Sequence, residues 1–430
     1  MTRDFRLLWT GQTVSWLGTA ATQVAAPLVA VTTLHASAFQ VGLLGAAIWL
    51  PWVLVGIPAG TLVDRLPRRP ILVGCDLVSA VLMVSAPVAA WLGLLTLTQL
   101  LLVAFLAGVA EVFSATAGQV FLPTVLPPDQ LAAGNARLQG GASAAQVAGP
   151  GFAGLLAHLG GPVTALAADA ASFVVSAVAL LRIRARERRV ADPGHESLAA
   201  AARVGLRFLV RDPYLRVMAS AGSAANFALT AYQTVLIVFL VREVGLGPGM
   251  IGLLLSVASV GGVAGAALSG PVARRLGSAR GLFTLEVASG ISALLIPLTT
   301  GGQGLVWLVL GNAGVAAFVV AGNVISASFR QRYCPPELLG RVTASMRMVN
   351  YGTMPVAAVV AGVLATAVGL RATMWIGTAG VGAAALLLLI GPLTRSRDLP
   401  EPASEAPWPA RPAGPASTRT PSGSSAASAR

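Results

Sequence analysis

The segment Gly60-Thr-Leu-Val-Asp-Arg-Leu-Pro-Arg-Arg69 separates two long apolar runs of the chain. A degraded copy follows 210 residues later as Gly270-Pro-Val-Ala-Arg-Arg-Leu-Gly-Ser-Ala-Arg280. A near-constant offset at separate places indicates that the chain consists of two related halves. The same offset of 210 separates Asp76 from Glu286 and Gln23 from Gln233.

The apolar runs on either side of these segments predict a membrane protein. The chain is 55% hydrophobic and only 10% charged, whereas soluble domains carry about 25% charged residues. A membrane-spanning helix needs about 20 apolar residues. Twelve runs qualify, at 8–33, 40–63, 71–91, 97–120, 138–158, 162–182, 215–241, 250–273, 281–300, 304–328, 343–368 and 371–393.

The distribution of positive charge predicts the orientation of these spans. All 29 basic residues are Arg, and 27 of them lie at alternate connections, leaving only Arg242 and Arg371 in the others. Cytoplasmic loops retain Arg and translocated loops lack it. We therefore expect a protein that crosses the membrane several times, with both termini in the cytoplasm. Since the Arg residues are dispersed over short loops, topology and contact with anionic lipid explain the net charge of +13 better than nucleic-acid binding does.

The predicted organisation is two six-helix bundles, at 1–182 and 215–393, joined by a cytoplasmic connector. In the connector, 183–214, Arg203, Arg207 and Arg211 share one helical face with apolar residues largely opposite. This pattern predicts an amphipathic helix on the inner leaflet, and a merely solvated helix is the alternative. The final segment, 394–430, is rich in Pro, Ser and Ala and is expected to be disordered.

The pattern Gly-x-x-x-Asp-Arg-x-x-Arg-Arg at 60–69 resembles the signature loop of the major facilitator superfamily. Softer features at 122–129, 149–150, 169–173 and 340–342 resemble the branch that contains siderophore exporters and macrolide efflux pumps. The resemblance implies an all-α fold of twelve transmembrane helices in two pseudo-symmetric bundles. It also implies secondary transport of a small molecule across the cytoplasmic membrane of a bacterium, with a monomer as the family default.

In that family the loop latches the cytoplasmic ends of the two halves together in the outward-facing state. The resemblance assigns this role to Gly60, Asp64, Arg65, Arg68 and Arg69, with Asp64 at the positive end of a helix such as span 11. Orientation of the chain alone is the alternative role. The second copy has Arg274 in the place of Asp64, so a symmetric latch is not expected. Its residues are Gly270, Arg274, Arg275, Gly277 and Arg280.

Several chemistries are excluded by composition. The chain has no Lys, which removes a P-loop lysine and a Schiff-base site. Its three His residues lack metal-ligand spacing, and the two Cys residues are too far apart for a disulfide framework. We expect no cofactor, no metal site and no enzymatic activity. Energy then comes from an ion gradient or from the substrate's own gradient.

Four acidic residues lie inside predicted spans, where a charge costs about 2.5–3.5 kcal/mol on insertion scales. We expect Asp76 and Glu286 to pair with the Arg-rich loops, and Asp169 to be structural as well. Glu111 lies on the span that lines the central cavity in the family. It belongs either to a charge network with Arg65 or Arg137, or to proton coupling, and the sequence leaves both open.

Polar stripes at helical spacing predict a substrate cavity. Hydrogen bonding between helices is the alternative explanation. Pro150 and Pro355 occupy similar positions in the two halves and are candidates for hinges or for fixed kinks. The cavity candidates are Gln12, Trp16, Thr19, Gln23, Asn226, Thr230, Tyr232, Gln233, Asn312 and Asn323.

Taken together, the sequence favours a secondary transporter that exports a hydrophobic or amphiphilic molecule, such as a drug, siderophore or secondary metabolite. Exchange for protons is a further hypothesis. An uptake symporter of the same fold is the first alternative, because topology does not encode direction. A non-transporting receptor or lipid-handling membrane protein is the second. The expected partners are a small-molecule substrate, protons and the lipid bilayer, without nucleic acid.

Overall fold

The computed structural model of the protein describes residues 2–185, 187 and 198–400. Over these residues the chain forms fourteen α-helices and no strand. A π-helical turn at Val29–Thr33 extends the first helix. The helices are α1 Arg3–Leu28, α2 Ala38–Leu54, α3 Gly56–Arg65, α4 Arg68–Trp91, α5 Leu97–Val125, α6 Leu131–Gly160, α7 Val163–Leu181, α8 Leu198–Arg211, α9 Pro213–Arg242, α10 Pro248–Leu276, α11 Ser278–Ala293, α12 Leu305–Tyr333, α13 Pro336–Ala367 and α14 Leu370–Leu386.

Ten helical segments of the described residues are long and apolar enough to cross a membrane. The remaining two of the twelve predicted runs differ from simple spans. The run 40–63 is interrupted at Val55, between α2 and α3. The α6 helix, which is rich in Gly, Ala and amide side chains, is long but not among the ten.

Side chains at the helix ends satisfy the first backbone N–H groups, which have no partner within a helix. Ser37 and Gln40 form a capping box at the start of α2. The Thr96 hydroxyl accepts from the Gln99 N–H at the start of α5. The Asp212 carboxylate accepts from the Tyr214 and Leu215 N–H groups and thereby starts α9 directly after the connector helix.

Helix packing repeats between the first half, α1–α7, and the second half, α9–α14. In the first half α1 packs on α6 and α7, α4 packs on α5 and α7, and α2 packs on α5. In the second half α9 packs on α13 and α14, α11 packs on α12 and α14, and α10 packs on α12. Each pair in one half therefore has a counterpart in the other.

The repeat extends to single residues in the connections. Of the seven described residues with a left-handed backbone, all but Gly277 form three pairs, whose members lie 208 to 210 positions apart. One pair includes a non-glycine residue, His35, whose φ of 52° matches a φ of 76° at Gly245. Equivalent turns of the chain thus keep their backbone geometry where the residue type has changed. The other pairs are Gly93 with Gly302 and Gly161 with Gly369.

The two halves touch at the end of the bundle where the connections lack Arg, called here the Arg-poor end. Gly42 of α2 lies against Gly362 of α13, and Gly154 of α6 lies against Gly252 of α10. A Cβ atom at Gly252 would collide with the backbone of α6. Gly42 is the repeat counterpart of Gly252, as Gly154 is of Gly362, so the two crossings are equivalent contacts.

The hydrophobic core follows the same division. At the Arg-poor end one buried cluster joins both halves and includes Val41 and Ala153 from the first with Ile251 and Ala357 from the second. At the opposite, Arg-rich end the core consists of separate clusters, one around Phe121 in the first half and one within the second half. The halves are therefore closed on each other at the Arg-poor end and apart at the Arg-rich end.

Both arginines of the Arg-poor end form hydrogen bonds with other residues of the chain. Arg242 donates to the Ala36 carbonyl across the two halves, at 2.7 Å. Arg371 pairs with Glu243 at 3.2 Å and also donates to the Pro297 carbonyl. These contacts give Arg242 and Arg371 a structural role, which explains their presence in connections that otherwise lack Arg.

Two of the Gly-x-x-x-Gly patterns in the chain, one in α10 and one in α3, have different surroundings. Gly261 and Gly265 lie against the backbone of α12, so closely that a Cβ atom would strike the Ala313 and Ala317 carbonyls. A Cβ atom at Gly56 would meet open space, and Gly60 lines a cavity. In α10 this glycine spacing allows a neighbouring helix to pack closely, as such patterns do in membrane helices. In α3 no helix packs closely against Gly56.

The connector helix α8 packs on the protein. Gly205 lies against the Arg341 backbone of α13, and Leu209 is buried, while Arg207 and Arg211 are exposed. Most of the predicted disordered tail, 401–430, lies outside the described residues. The expectation of disorder is wrong for its beginning, because Asp398 binds Ser278 of α11 and Leu399 is buried.

The helices that contain the hinge candidates continue through them. Pro150 lies inside α6 and Pro355 lies inside α13, without an interruption of either helix. The interruption that the structure does contain is at Val55, four residues after Pro51. A hinge role for Pro150 and Pro355 stays a prediction.

We expect Gly252→Leu to open the Arg-poor end, because a side chain there would overlap α6, and overpacking costs about 1–3 kcal/mol. The readout is labelling of Ala153→Cys, a position buried in the core that joins the two halves, by a maleimide in detergent-solubilised protein whose native cysteines are replaced. Labelling should rise in Gly252→Leu and stay unchanged in the control Gly56→Leu. Equal labelling in both variants would contradict the closed glycine crossing.

Candidate functional site

A cavity of about 410 Å³ lies between the halves, on the Arg-rich side of the glycine crossings. We call it the inter-half cavity. Its walls are α2, α3 and α5 from the first half and the beginning of α13 from the second. It exists because the halves separate toward the Arg-rich end.

The deep end of the inter-half cavity is aromatic. The Trp52 ring of α2 meets the Tyr351 ring of α13 edge to face, with centroids 5.1 Å apart. Trp49 approaches the same tyrosine at 5.6 Å. Offset and edge-to-face aromatic pairs contribute about 0.5–1.5 kcal/mol beyond their buried area. None of these three residues was among the predicted cavity residues, although tryptophans inside a span, away from the interfaces where they usually lie, were a usable signal.

Polar and basic side chains line the rest of the inter-half cavity together with apolar ones such as Val112. Thr116 and Gln119 of α5 line one wall, and Arg341 and Arg347 of α13 line the other. From the sequence, these two arginines were expected to lie in a cytoplasmic connection and to set the orientation of the chain. Their placement on α13 gives them direct access to whatever enters the cavity.

A second cavity, of about 280 Å³, lies inside the first half and is called the N-half cavity. Two predicted cavity residues, Gln12 and Trp16 of α1, line it. So do Asp76 of α4 and Glu111 of α5. Gln119 lines both cavities, which therefore adjoin.

The structure corrects the expected partner of Asp76. Its side chain is 6% exposed, faces the N-half cavity and contacts Ser176, and its Oδ2 atom has no hydrogen-bond partner. No described salt bridge joins it to an arginine. A position one or two turns from a helix end does not fix the face on which the side chain lies, and here α4 turns Asp76 inward.

Glu111 shares the N-half cavity with Ser114, Ala115 and Gly118, the residues with which the sequence predicts a common face. Among the described contacts its carboxylate has neither a hydrogen bond nor a salt bridge. The charge network with an arginine thus finds no support in the described residues. Proton coupling stays a prediction.

Asp169 ties two helices together. Its carboxylate accepts from the Thr22 hydroxyl of α1 at 2.6 Å and from the Ser172 hydroxyl at 3.1 Å. Gly18 of α1 lies directly against it, which lets the two helices approach. Glu286, on α11, lies next to Gly322 of α12 and has no described hydrogen bond.

The other predicted cavity residues divide into three groups. Tyr232 is a correction, because it is 1% exposed and packs against Gly377 of α14 in the core. Asn226 and Asn312 donate to carbonyls of their own helices, at Gly222 and Leu308. Thr230 is buried, Thr19 is partly buried, and Gln23, Gln233 and Asn323 are exposed.

The Arg-rich loops are anchored by acids that the sequence did not single out. Glu187, beyond the end of α7, accepts from the Arg68 and Arg69 N–H groups at 2.7 and 2.6 Å and so caps α4. Asp398, beyond the end of α14, accepts from the Ser278 N–H at 2.8 Å and caps α11. The two acids lie 211 positions apart, so the repeat offset was a signal for them.

The signature loop itself is seen in part. Arg69 donates to the Leu180 and Leu181 carbonyls at the end of α7. The Asp64 side chain lies outside the described part of the structure. In the second copy, Arg274 and Arg275 offer carbonyls to Arg397.

The Major Facilitator Superfamily model matches residues 8–352 and 219–425. The chain belongs to the Major Facilitator Superfamily. It is 28% identical to the multidrug efflux pump Tap of Mycolicibacterium fortuitum over 79% of this chain and 84% of that one. It is 26% identical to macrolide efflux protein A of Streptococcus pyogenes over 42% and 44%. In sequence the chain thus resembles the efflux branch of the family.

Solved structures support the same fold. The nucleoside transporter NupG superposes with a TM-score of 0.76 at 11% identity, covering 92% of this chain and 100% of that one. At this identity the likeness concerns the fold alone. The chain is a multi-pass membrane transporter and not an enzyme.

We expect Thr22→Val to destabilise the first half, since it leaves a buried acceptor of Asp169 unsatisfied. Such a loss costs about 1–3 kcal/mol, which should lower the thermal unfolding midpoint in detergent. The matched control is Thr10→Val, whose hydroxyl bonds only carbonyls of its own helix. Equal midpoints for the two variants would show that the bond to Asp169 contributes nothing.

Proposed function

We propose that the protein exports a hydrophobic or amphiphilic small molecule from a bacterial cell by alternating access. In this proposal the chain crosses the cytoplasmic membrane twelve times, with α2 and α3 as one interrupted span and both termini in the cytoplasm. The Arg-rich end then faces the cytoplasm, as the positive-inside rule requires.

The observation that carries the proposal is the asymmetry of the bundle. The halves share one core at the Arg-poor end and enclose the inter-half cavity toward the other end. In the proposed orientation this is an inward-facing state, ready to accept a molecule from the cytoplasm or inner leaflet. Rocking about the equivalent glycine crossings would exchange the closed and open ends.

The substrate class is inferred from the cavity walls. Trp52 and Tyr351 offer aromatic faces, while Thr116 and Gln119 offer hydrogen bonds. This combination suits a sizeable molecule with an apolar body and some polar groups. The relatives named as multidrug and macrolide efflux proteins support a drug or secondary metabolite, and a siderophore fits the same description.

We further propose that protons drive export through Glu111. A carboxylate that is removed from water and has no basic partner tends to bind a proton, because its charged form is costly there. A potential of 100 mV supplies about 2.3 kcal/mol per proton. The opening of the adjoining inter-half cavity would change access to this group during the cycle.

The remaining assignments rest on the resemblance. The latch role of Gly60, Asp64, Arg65, Arg68 and Arg69 is proposed for the state in which the Arg-rich ends close. The degenerate copy, in which Arg274 replaces Asp64, is proposed to orient the chain only. We propose domain limits at 1–182, 183–214 and 215–393, and a monomer in contact with the lipid bilayer.

Uptake by the same fold is the second candidate. The inward-facing arrangement is a state of importers and exporters alike, so the assay below measures direction. A receptor or lipid-handling protein without transport would give no flux at all.

We expect that bacteria lacking their own efflux pumps will accumulate less of at least one dye, macrolide or siderophore when they express this chain. An uncoupler should restore accumulation, because it removes the driving gradient. The control is the same chain with Gly252→Leu, which is designed not to close at the Arg-poor end. Increased accumulation would establish uptake, and unchanged accumulation of every compound would contradict transport of these classes.

In reconstituted vesicles, Glu111→Gln should remove the acceleration of transport by an imposed pH gradient. The amide keeps the shape of the side chain but does not take up a proton at this pH. The matched control, Glu286→Gln, alters an acid of the other half and should leave the acceleration in place. The same gradient dependence in wild type and Glu111→Gln would reject this role.

A further inference from the structure

The N-half cavity holds two acids that the described contacts leave without a counter-charge. Asp76 lines the cavity and is 6% exposed, and its Oδ2 atom is buried without a hydrogen-bond partner. Glu111 lines the same cavity with no described partner. Two carboxylates in one low-dielectric site strongly disfavour their joint ionisation unless a positive charge lies between them.

Among the described residues, those that line this cavity supply oxygen atoms and no basic side chain. The lining contains the amides Gln12, Asn135 and Gln139 and the hydroxyls of Ser15, Ser79 and Ser114. The other titratable groups near the pair are Cys75, in the lining, and Asp169 on α7. Carboxylate, amide and hydroxyl oxygens are the ligands of hard metal cations.

We propose that the N-half cavity binds a hard metal cation through the Asp76 and Glu111 carboxylates, with neighbouring amide and hydroxyl oxygens completing its shell. The proton that is proposed to bind Glu111 during export would compete with this cation for the same carboxylate. A proton neutralises one carboxylate only, whereas a metal cation binds both carboxylates and the surrounding oxygens. The cavity, at about 280 Å³, has room for such an ion together with water.

Binding at this site would connect four helices of the first half. Gln12 comes from α1, Asp76 from α4, Glu111 from α5 and Gln139 from α6. Gln119 of α5 also lines the inter-half cavity. The ion thus sits where it stabilises the first half and where movement of α5 would alter its shell.

The inference does not depend on export, because cation binding is measured without transport. Purified full-length protein in detergent is titrated with NaCl, CaCl₂ or MgCl₂, with choline chloride at the same ionic strength as the reference. The readout is the thermal unfolding midpoint, since a ligand of the folded state raises it. We expect one of the three cations to raise the midpoint saturably, and less so at low pH, where protons compete for the carboxylates.

The variants Asp76→Asn and Glu111→Gln should weaken the apparent affinity by about tenfold or more, as loss of a ligand or its support typically does. The control is Glu286→Gln, which changes the repeat counterpart of Asp76 in the other half and should bind as wild type does. Asp76→Glu and Glu111→Asp, which keep both charges, test whether an effect of the neutral variants is a folding defect.

Three outcomes would overturn the proposal. The first is a midpoint that no cation raises above the choline reference. The second is a cation effect of equal size in the double variant Asp76→Asn, Glu111→Gln. The third is a dependence on pH alone, which would make the pair a proton site. The arms with sodium, calcium and magnesium distinguish a monovalent from a divalent ion.

Discussion

Direct contact between glycine backbones at the Arg-poor end determines the shape of the molecule. Gly42 against Gly362 and Gly154 against Gly252 bring helices of different halves closer than any side chain would permit. In lipid, where apolar side chains gain little by leaving their surroundings, such close packing is a principal source of helix association. The joint core forms around these crossings, and the separation at the other end leaves the space that becomes the inter-half cavity.

The pseudo-symmetry of the chain is a property of the scaffold more than of its chemistry. Packing pairs, left-handed turns, glycine crossings and helix-capping acids all recur, the single residues among them at offsets of 208 to 211 positions. The polar interior does not recur in the same way. Asp76 faces a cavity with a second acid, whereas its counterpart Glu286 lies beside Gly322 of α12. The pair of acids in one shared cavity is therefore a feature of the first half.

Much of the fold was predictable because spans depend on local hydropathy and on the constraint that backbone groups in lipid must bond within helices. The predicted run 215–241 corresponds to α9 and 97–120 to α5. The common face of Glu111, Ser114 and Gly118 was also predictable from helical spacing. Side-chain direction relative to other helices was not, since spacing gives a face but not its neighbour. Tyr232 faces α14 and Asp76 faces inward for reasons of tertiary packing, and Val55 interrupts a run that hydropathy reads as continuous.

The capping acids at the end of each half have a consequence for the order in which the protein is made. Glu187 follows all helices of the first half in the chain, and Asp398 follows all those of the second. Each returns to cap the third span of its own half, α4 or α11. During synthesis the N-terminus of that helix stays uncapped until every later helix of its half has left the ribosome. The cap is thus a closing bond that only a fully synthesised half possesses.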